Sequence, residues 1–170
     1  MLEKSAVFIA RSAIAGRGLK LVLPEGEDER IRRAAEALEK AGLAVPVLLQ
    51  GELGDASGAQ RCAILKQREG MSAGMVDRLL ARPLFRAAAM VGAGEADAML
   101  AGAINPTAKV IEAGLMGIGL AEGIRTPSSF FLMQWPDKAL VFADCAVNIQ
   151  PDASELADIA LASAATAARV

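Results

Sequence analysis

The sequence predicts an α/β protein, a mostly parallel sheet with helices on both faces. Three observations carry that expectation. Leu19–Leu23 is a short apolar run closed by Pro24, and Ala44–Leu49 is a second such run. Between them Ile31, Ala34, Ala35 and Leu38 fall at helical spacing, which makes a β-α-β unit with parallel strands and a right-handed crossover. The composition agrees: 54% of residues are hydrophobic but only 4% are aromatic, so the core must be built from Ala, Leu, Val, Ile and Met. Alanine-rich helices lying on aliphatic strands satisfy that constraint.

The elements follow in order. Residues 2–15 read as an amphipathic helix rather than a signal peptide, because Glu3 and Lys4 precede the apolar patch and Arg11 lies inside it. The next helix spans 26–41. Acidic residues crowd its first turn, which suits the helix dipole, and Gly42 is placed to cap its end. Gly51–Gly58 is loop-like, and residues 59–69 and 72–81 are predicted helices. Pro83 opens another that runs to Gly92. Ala96–Leu100 is a strand, Gly102–Asn105 a loop, and Pro106–Leu115 a helix with Asn105 as cap and Pro106 at the first helical position. Pro127–Met133 and Ala139–Phe142 are strands separated by the turn QWPDK. Pro151–Ala168 is the last helix, capped by Asp152 with Glu155 three residues on. A helix after a strand normally feeds another strand in such folds, so the chain is expected to be C-terminally incomplete.

Composition excludes several classes. A net charge of −2 with both signs spread along the chain offers no basic face for nucleic acid. No apolar run approaches the roughly eighteen residues that a membrane span needs. Cys62 and Cys145 are too few and too far apart for a disulfide framework, which points to a reducing, cytoplasmic setting. There is no histidine, so the commonest general base and metal ligand is missing and no metal site is expected.

Five places can carry chemistry. The Gly102–Thr107 loop joins a strand to a helix, and free N–H groups there favour an anion such as phosphate, with the Thr107 hydroxyl beside it. On spacing alone, the favoured reading is that Asn105 and Thr107 simply cap a helix. Arg30 offers paired N–H donors to a phosphate; the alternative is a pair with Glu27 on a solvated face. Lys66 and Arg68, in KQREG, are basic residues on a predicted helix end. Ser128 and Ser129, in TPSSFFLM, place hydroxyls at a strand start. Asp144 and Cys145 close the run FADC; Asp144 suits a structural role, and Cys145 has no base beside it to make it a nucleophile.

Three segments, LVLPEGEDER (21–30), AGAINPTAKVIEAGLMGIGL (101–120) and VFADCAVNIQPDASELA (141–157), together resemble the phosphate acetyltransferase (phosphotransacetylase) family. The resemblance runs from residue 19 to residue 168. It implies the phosphotransacetylase fold, which is similar to the isocitrate and isopropylmalate dehydrogenase architecture. Residues 1–125 would form an N-terminal α/β domain, and 126–170 the start of a second, truncated one. It also implies the reaction of acetyl-CoA with phosphate to give acetyl phosphate and CoA, with CoA a substrate rather than a permanently bound cofactor, and a homo-oligomer. Arg30 closes the family's P-E-x-E-D-x-R pattern as a substrate-binding residue. Lys66 falls at a family arginine and Arg68 two residues on, both directed at CoA phosphates. Asn105 and Thr107 lie in the family's active-site loop, and Ser128 and Ser129 on a cleft-lining strand.

Departures accompany the match. Where the family's loop has His, Ser/Thr, Asp and then Arg, this chain has Asn105, Thr107, Lys109 and Glu112. Glu112 reverses a charge where an anionic substrate is expected. The stretch from Leu49 to Arg61 is shorter than usual. The family's serine–arginine motif and its thiol-activating aspartate have no counterpart here, so no catalytic residue is assigned. Two alternatives follow: a phosphate acyltransferase for another short acyl group, and a non-catalytic CoA-sensing or oligomerising domain.

Overall fold

The computed structural model describes residues 5–51, 53–135 and 138–168. The chain divides into two compact units, one of Ile14–Gly119 and one that joins the segment ending at Ala13 to the residues from Leu120 on.

In the first unit β1 (Lys20–Leu23) lies at the centre of a three-stranded parallel sheet of order β2-β1-β3, between β2 (Val45–Leu48) and β3 (Ala98–Met99). Lys20 pairs with Val45 and Leu23 with Leu48 on one side, while Leu21 and Val22 meet Ala98 and Met99 on the other. Central position explains why Val22 and Leu23 are fully buried. Pro46 is tolerated because β2 is an edge strand, where a missing N–H breaks nothing on the open side. The expected β-α-β unit is therefore present. The third strand is shorter than the predicted 96–100, since only Ala98 and Met99 pair with β1.

Helix α1 spans Ala6–Ile14, and residues 2–4 of its predicted range lie outside the described residues. The helix between β1 and β2, α2, is Glu29–Lys40 rather than 26–41. Its N-cap is Asp28, whose carboxylate accepts the Arg30 N–H at 2.8 Å. Residues 24–27 form a turn instead, because Glu25 and Gly26 have partners outside the helix: the Gly26 N–H donates to Leu49 O at 3.2 Å. Of the predicted apolar face Ala35 is buried, Ile31 and Leu38 are half-buried, and Ala34 is exposed.

Three helices follow in succession, α3 (Gly58–Gln67), α4 (Ala73–Leu80) and α5 (Pro83–Gly92), all close to their predicted ranges. Helix α5 is buried along most of its length; Phe85, Ala87, Ala88 and Ala89 have no exposure. It packs on α6 (Thr107–Gly117) through glycine. A Cβ on Gly92 would collide with Gly117 O, and one on Gly117 would meet Ala88 at 2.6 Å. Small residues let these helices approach closely, which closes the space in a core with few aromatics. The α6 start also differs from expectation. Pro106 is the N-cap, with extended backbone, and Asn105 does not cap the helix because its side chain is bonded to Glu25.

The second unit contains β4 (Phe130–Gln134) and β5 (Ala139–Ala143), paired antiparallel from Phe130↔Ala143 to Gln134↔Ala139. This hairpin departs from the parallel pattern of the first sheet. Pro136 and Asp137 of its predicted turn lie outside the described residues. Helix α7 (Ala153–Ala167) begins with the expected capping box, Asp152 accepting the Glu155 N–H at 2.9 Å and Glu155 the Asp152 N–H at 2.8 Å.

Candidate functional site

The first unit gathers its polar loops beyond the carboxyl ends of β1, β2 and β3, the edge where parallel sheets hold ligands. The chain leaves β1 through Pro24 and turns at once. That turn sends the Glu25 side chain inward, and the residue is only 2% exposed. Its carboxylate meets the loop after β3. The N–H groups of Gly102 and Ala103 donate to Oε2 at 3.0 and 2.8 Å, and those of Ile104 and Asn105 to Oε1 at 3.0 and 2.8 Å. The Asn105 side-chain amide adds a fifth donor at 2.8 Å. Four consecutive backbone N–H groups converge because Gly102 takes φ of +116°, a conformation that L side chains rarely adopt.

This cradle is made for an anion, and Glu25 is the anion. Burial by itself would raise the Glu25 pKa. The donors from Asn105, Ala103 and Ile104 and the Asn105 side chain outweigh it and hold the carboxyl at about 2. The expectation that the Gly102–Asn105 N–H groups lie free for a substrate phosphate is thus corrected: they are taken from within the chain.

Arg30 stands beside the same loop. Its guanidinium grips Asp28 through Nε (3.0 Å to Oδ1) and Nη2 (2.7 Å to Oδ2), and Nη2 also donates to Ala103 O at 3.2 Å. Its carboxylate partner is Asp28, not Glu27, because Glu27 Oε1 accepts the Gly51 N–H at 3.3 Å. The Arg30 hydrogen bonds hold the Asp28 carboxyl down at about 2. With 70% of its side chain exposed, Arg30 keeps a donor face toward solvent.

A cavity of about 290 Å³ opens next to the cradle. Glu25, Asn105 and Ile104 line one side; Leu49 and Gln50, after β2, line another; Arg82, Pro83 and Leu84, at the start of α5, complete it. Asn105 is therefore both part of the cradle and part of the cavity wall.

The other predicted residues are distributed unevenly. Thr107 is exposed at the first position of α6. One turn on, Lys109 and Glu112 form an ion pair at 2.7 Å. Glu112 is held below the usual carboxylate range first by that Lys109 hydrogen bond, and also by the charges of Arg82 and Arg68. Arg68 is the C-cap of α3, and Lys66 is exposed on its last turn. Ser128 and Ser129 belong to the other unit. There the Ser129 hydroxyl accepts the Ala146 N–H at 3.1 Å. Asp144 adopts φ of +56° and donates its N–H to Ser129 O, while its carboxylate accepts from Asn148 at 3.2 Å, a structural part in the turn after β5. The Cys145 thiol donates to Phe142 O.

Sequence reasoning missed two residues. Glu25 enters the sequence reading only as part of LVLPEGEDER; its signal is its place directly behind a strand-ending proline. Arg82 passed as the residue ahead of a helix-opening proline.

Comparison with known proteins shows the family and the fold. A family model described as phosphate acetyl/butaryl transferase matches residues 50–170. A phosphate acetyltransferase of Paracoccus denitrificans is 37% identical over 169 residues, covering 88% of this chain and 53% of its own. The phosphate acetyltransferase of Nitratidesulfovibrio vulgaris is 35% identical over 177 residues, covering 88% of this chain and 25% of its own. A crystal structure of a phosphotransacetylase from Streptococcus pyogenes superimposes with a TM-score of 0.81 at 31% identity, over 89% of this chain and 54% of that one. The chain therefore spans from a quarter to about half the length of these relatives.

Proposed function

Because the chain belongs to the phosphate acetyl/butaryl transferase family, we propose that it takes part in acyl transfer between CoA and inorganic phosphate, acetyl-CoA plus phosphate giving acetyl phosphate plus CoA. A phosphate oxygen attacks the thioester carbonyl, a tetrahedral oxyanion forms, and the C–S bond breaks to release the CoA thiolate. The protein has to hold two anionic reactants in line and balance the charge that develops. The observation that supports this reading is the 102–105 loop, which resembles the family's active-site loop and is held by Glu25 at the sheet's carboxyl edge with Arg30 bonded to it at Ala103.

Arg30, Lys66, Arg68, Asn105, Thr107, Ser128 and Ser129 are the substrate-contacting residues of this proposal. Cations on α2 and at the end of α3 take the phosphates in the first unit; in the second unit the Ser128 and Ser129 hydroxyls are the candidate contacts. CoA enters as a substrate. Two free cysteines support a reducing, cytoplasmic setting, and among the described residues no helix is long and apolar enough to cross a membrane. The exposed apolar side chains of the β4–β5 hairpin, Phe130, Phe131, Met133, Leu140 and Phe142, support a homo-oligomer, checked by light scattering of the purified chain.

A second reading, CoA binding without turnover, is favoured by one observation: the loop N–H groups suited to an oxyanion are already engaged by Glu25. Turnover separates the two. The purified chain is mixed with acetyl phosphate and CoA, and thioester absorbance is followed. The transferase reading expects thioester formation that Arg30→Ala reduces on the order of tenfold or more. CoA binding with no thioester formed would instead establish the second reading.

A further inference from the structure

We propose that the cavity between the start of α5 and the 104–105 loop is a subsite for a phosphate monoester or inorganic phosphate, with Arg82 as its cation. This deepens the transferase reading and rests on it for the identity of the ligand. Arg82 lines the cavity from the N-cap position of α5. Among the described residues no carboxylate forms an ion pair with it, although Arg30, Arg33, Arg61, Lys109 and Arg125 each have one. Its guanidinium is nevertheless not loose. It lies over the ring of Phe85, 4.6 Å from the centroid, and Phe85 is fully buried. A planar cation is thus held on a rigid platform at the mouth of a cavity, with its N–H edge left for a ligand.

The surroundings agree with an anion at the Arg82 end. Two acids line the cavity, and both are engaged, Glu25 by five N–H donors and Glu27 by the Gly51 N–H. Glu112, the nearest acid on α6 to feel Arg82, is turned to Lys109 at 2.7 Å. Helix α5 starts at the cavity wall with no side-chain cap at Arg82, so its positive end adds to the Arg82 charge there. Leu49, Leu84 and Ile104 supply an apolar wall for the uncharged part of a ligand.

Isothermal titration of the whole chain tests this, using three probes: inorganic phosphate, CoA, and CoA lacking its 3′-phosphate. Arg82→Ala is expected to weaken one phosphate-bearing probe by on the order of ten- to a hundredfold. Arg82→Lys should restore part of the loss. If the subsite takes the CoA 3′-phosphate, the wild type binds the truncated CoA as weakly as Arg82→Ala binds CoA. If it takes inorganic phosphate, that probe alone loses affinity. Unchanged binding of inorganic phosphate and of CoA to Arg82→Ala overturns the subsite. Should CoA and inorganic phosphate both bind Arg82→Ala as they bind the wild type while CoA binding falls with Arg30→Ala, the subsite fails and the transferase reading stands. A wild type that binds no probe overturns both. Arg82 is exposed, so the alanine variant should keep the wild-type circular dichroism; if it does not, Arg82→Lys decides.

Discussion

Replacing Glu25 with alanine is expected to release residues 102–105 and to cost on the order of 3 kcal/mol or more, because five N–H donors lose a buried acceptor at once. Amide exchange at Gly102–Asn105 should accelerate before the rest of the sheet opens. Glu25→Gln is the sharper variant. It keeps the shape but turns one acceptor oxygen into a donor, so two loop N–H groups face an N–H₂ group, and it should destabilise nearly as much as alanine. The wild type should also show a matching acid transition. The folded Glu25 pKa of about 2 lies below its ordinary 4.5. The stability it adds is therefore complete above about pH 4.5 and is lost as the pH falls through about 2. Glu25→Gln should lack that dependence. Unfolding free energies of both variants within about 0.5 kcal/mol of the wild type would contradict this role.

Phe85→Ala is expected to cost about 3–5 kcal/mol, the range for emptying an aromatic site in a packed core. Phe85 is fully buried among Ile64, Leu80, Leu84 and Ala88. Neighbouring helices have little freedom to collapse into the space, since α5 and α6 already touch at Gly92 and Gly117. Phe85→Leu should recover most of the loss, because it refills much of the volume. The substitution also removes the platform under Arg82, so phosphate binding should weaken in Phe85→Leu even where stability is largely regained. Urea midpoints and titrations of the same samples measure both effects; a midpoint unchanged in Phe85→Ala would show that the site repacks.

Much of the fold was legible in the sequence because its signals are local. Pro24 and the apolar run before it fix the end of β1, Pro83 fixes the start of α5, and Asp152 with Glu155 fixes the start of α7. These effects act within a few residues, so spacing reveals them. The start of α2 was misplaced for the opposite reason. Glu27, Asp28 and Glu29 all look like favourable first-turn residues, and what holds the chain before Asp28 out of the helix is the bonding of Glu25 to a loop 77 to 80 residues away and of the Gly26 N–H to Leu49 O. Long-range hydrogen bonds have no periodicity. The same bond explains Asn105: a good cap by type, it serves Glu25 instead and leaves the N-cap position to Pro106. Family motifs pointed to Arg30 and the 102–107 loop as one site, and the Arg30 bond to Ala103 O joins them. They gave no hint of Arg82, whose relevance comes only from the cavity that three separate loops enclose.

The most direct test of the Glu25-held loop as the substrate site is an amide-resolved NMR titration of the chain with CoA and with acetyl phosphate. Shifts concentrated at Gly102–Asn105, Arg30 and Arg82, and abolished in Glu25→Gln, are the predicted result. Shifts confined to residues outside that loop and cavity, or none at millimolar ligand, would contradict it.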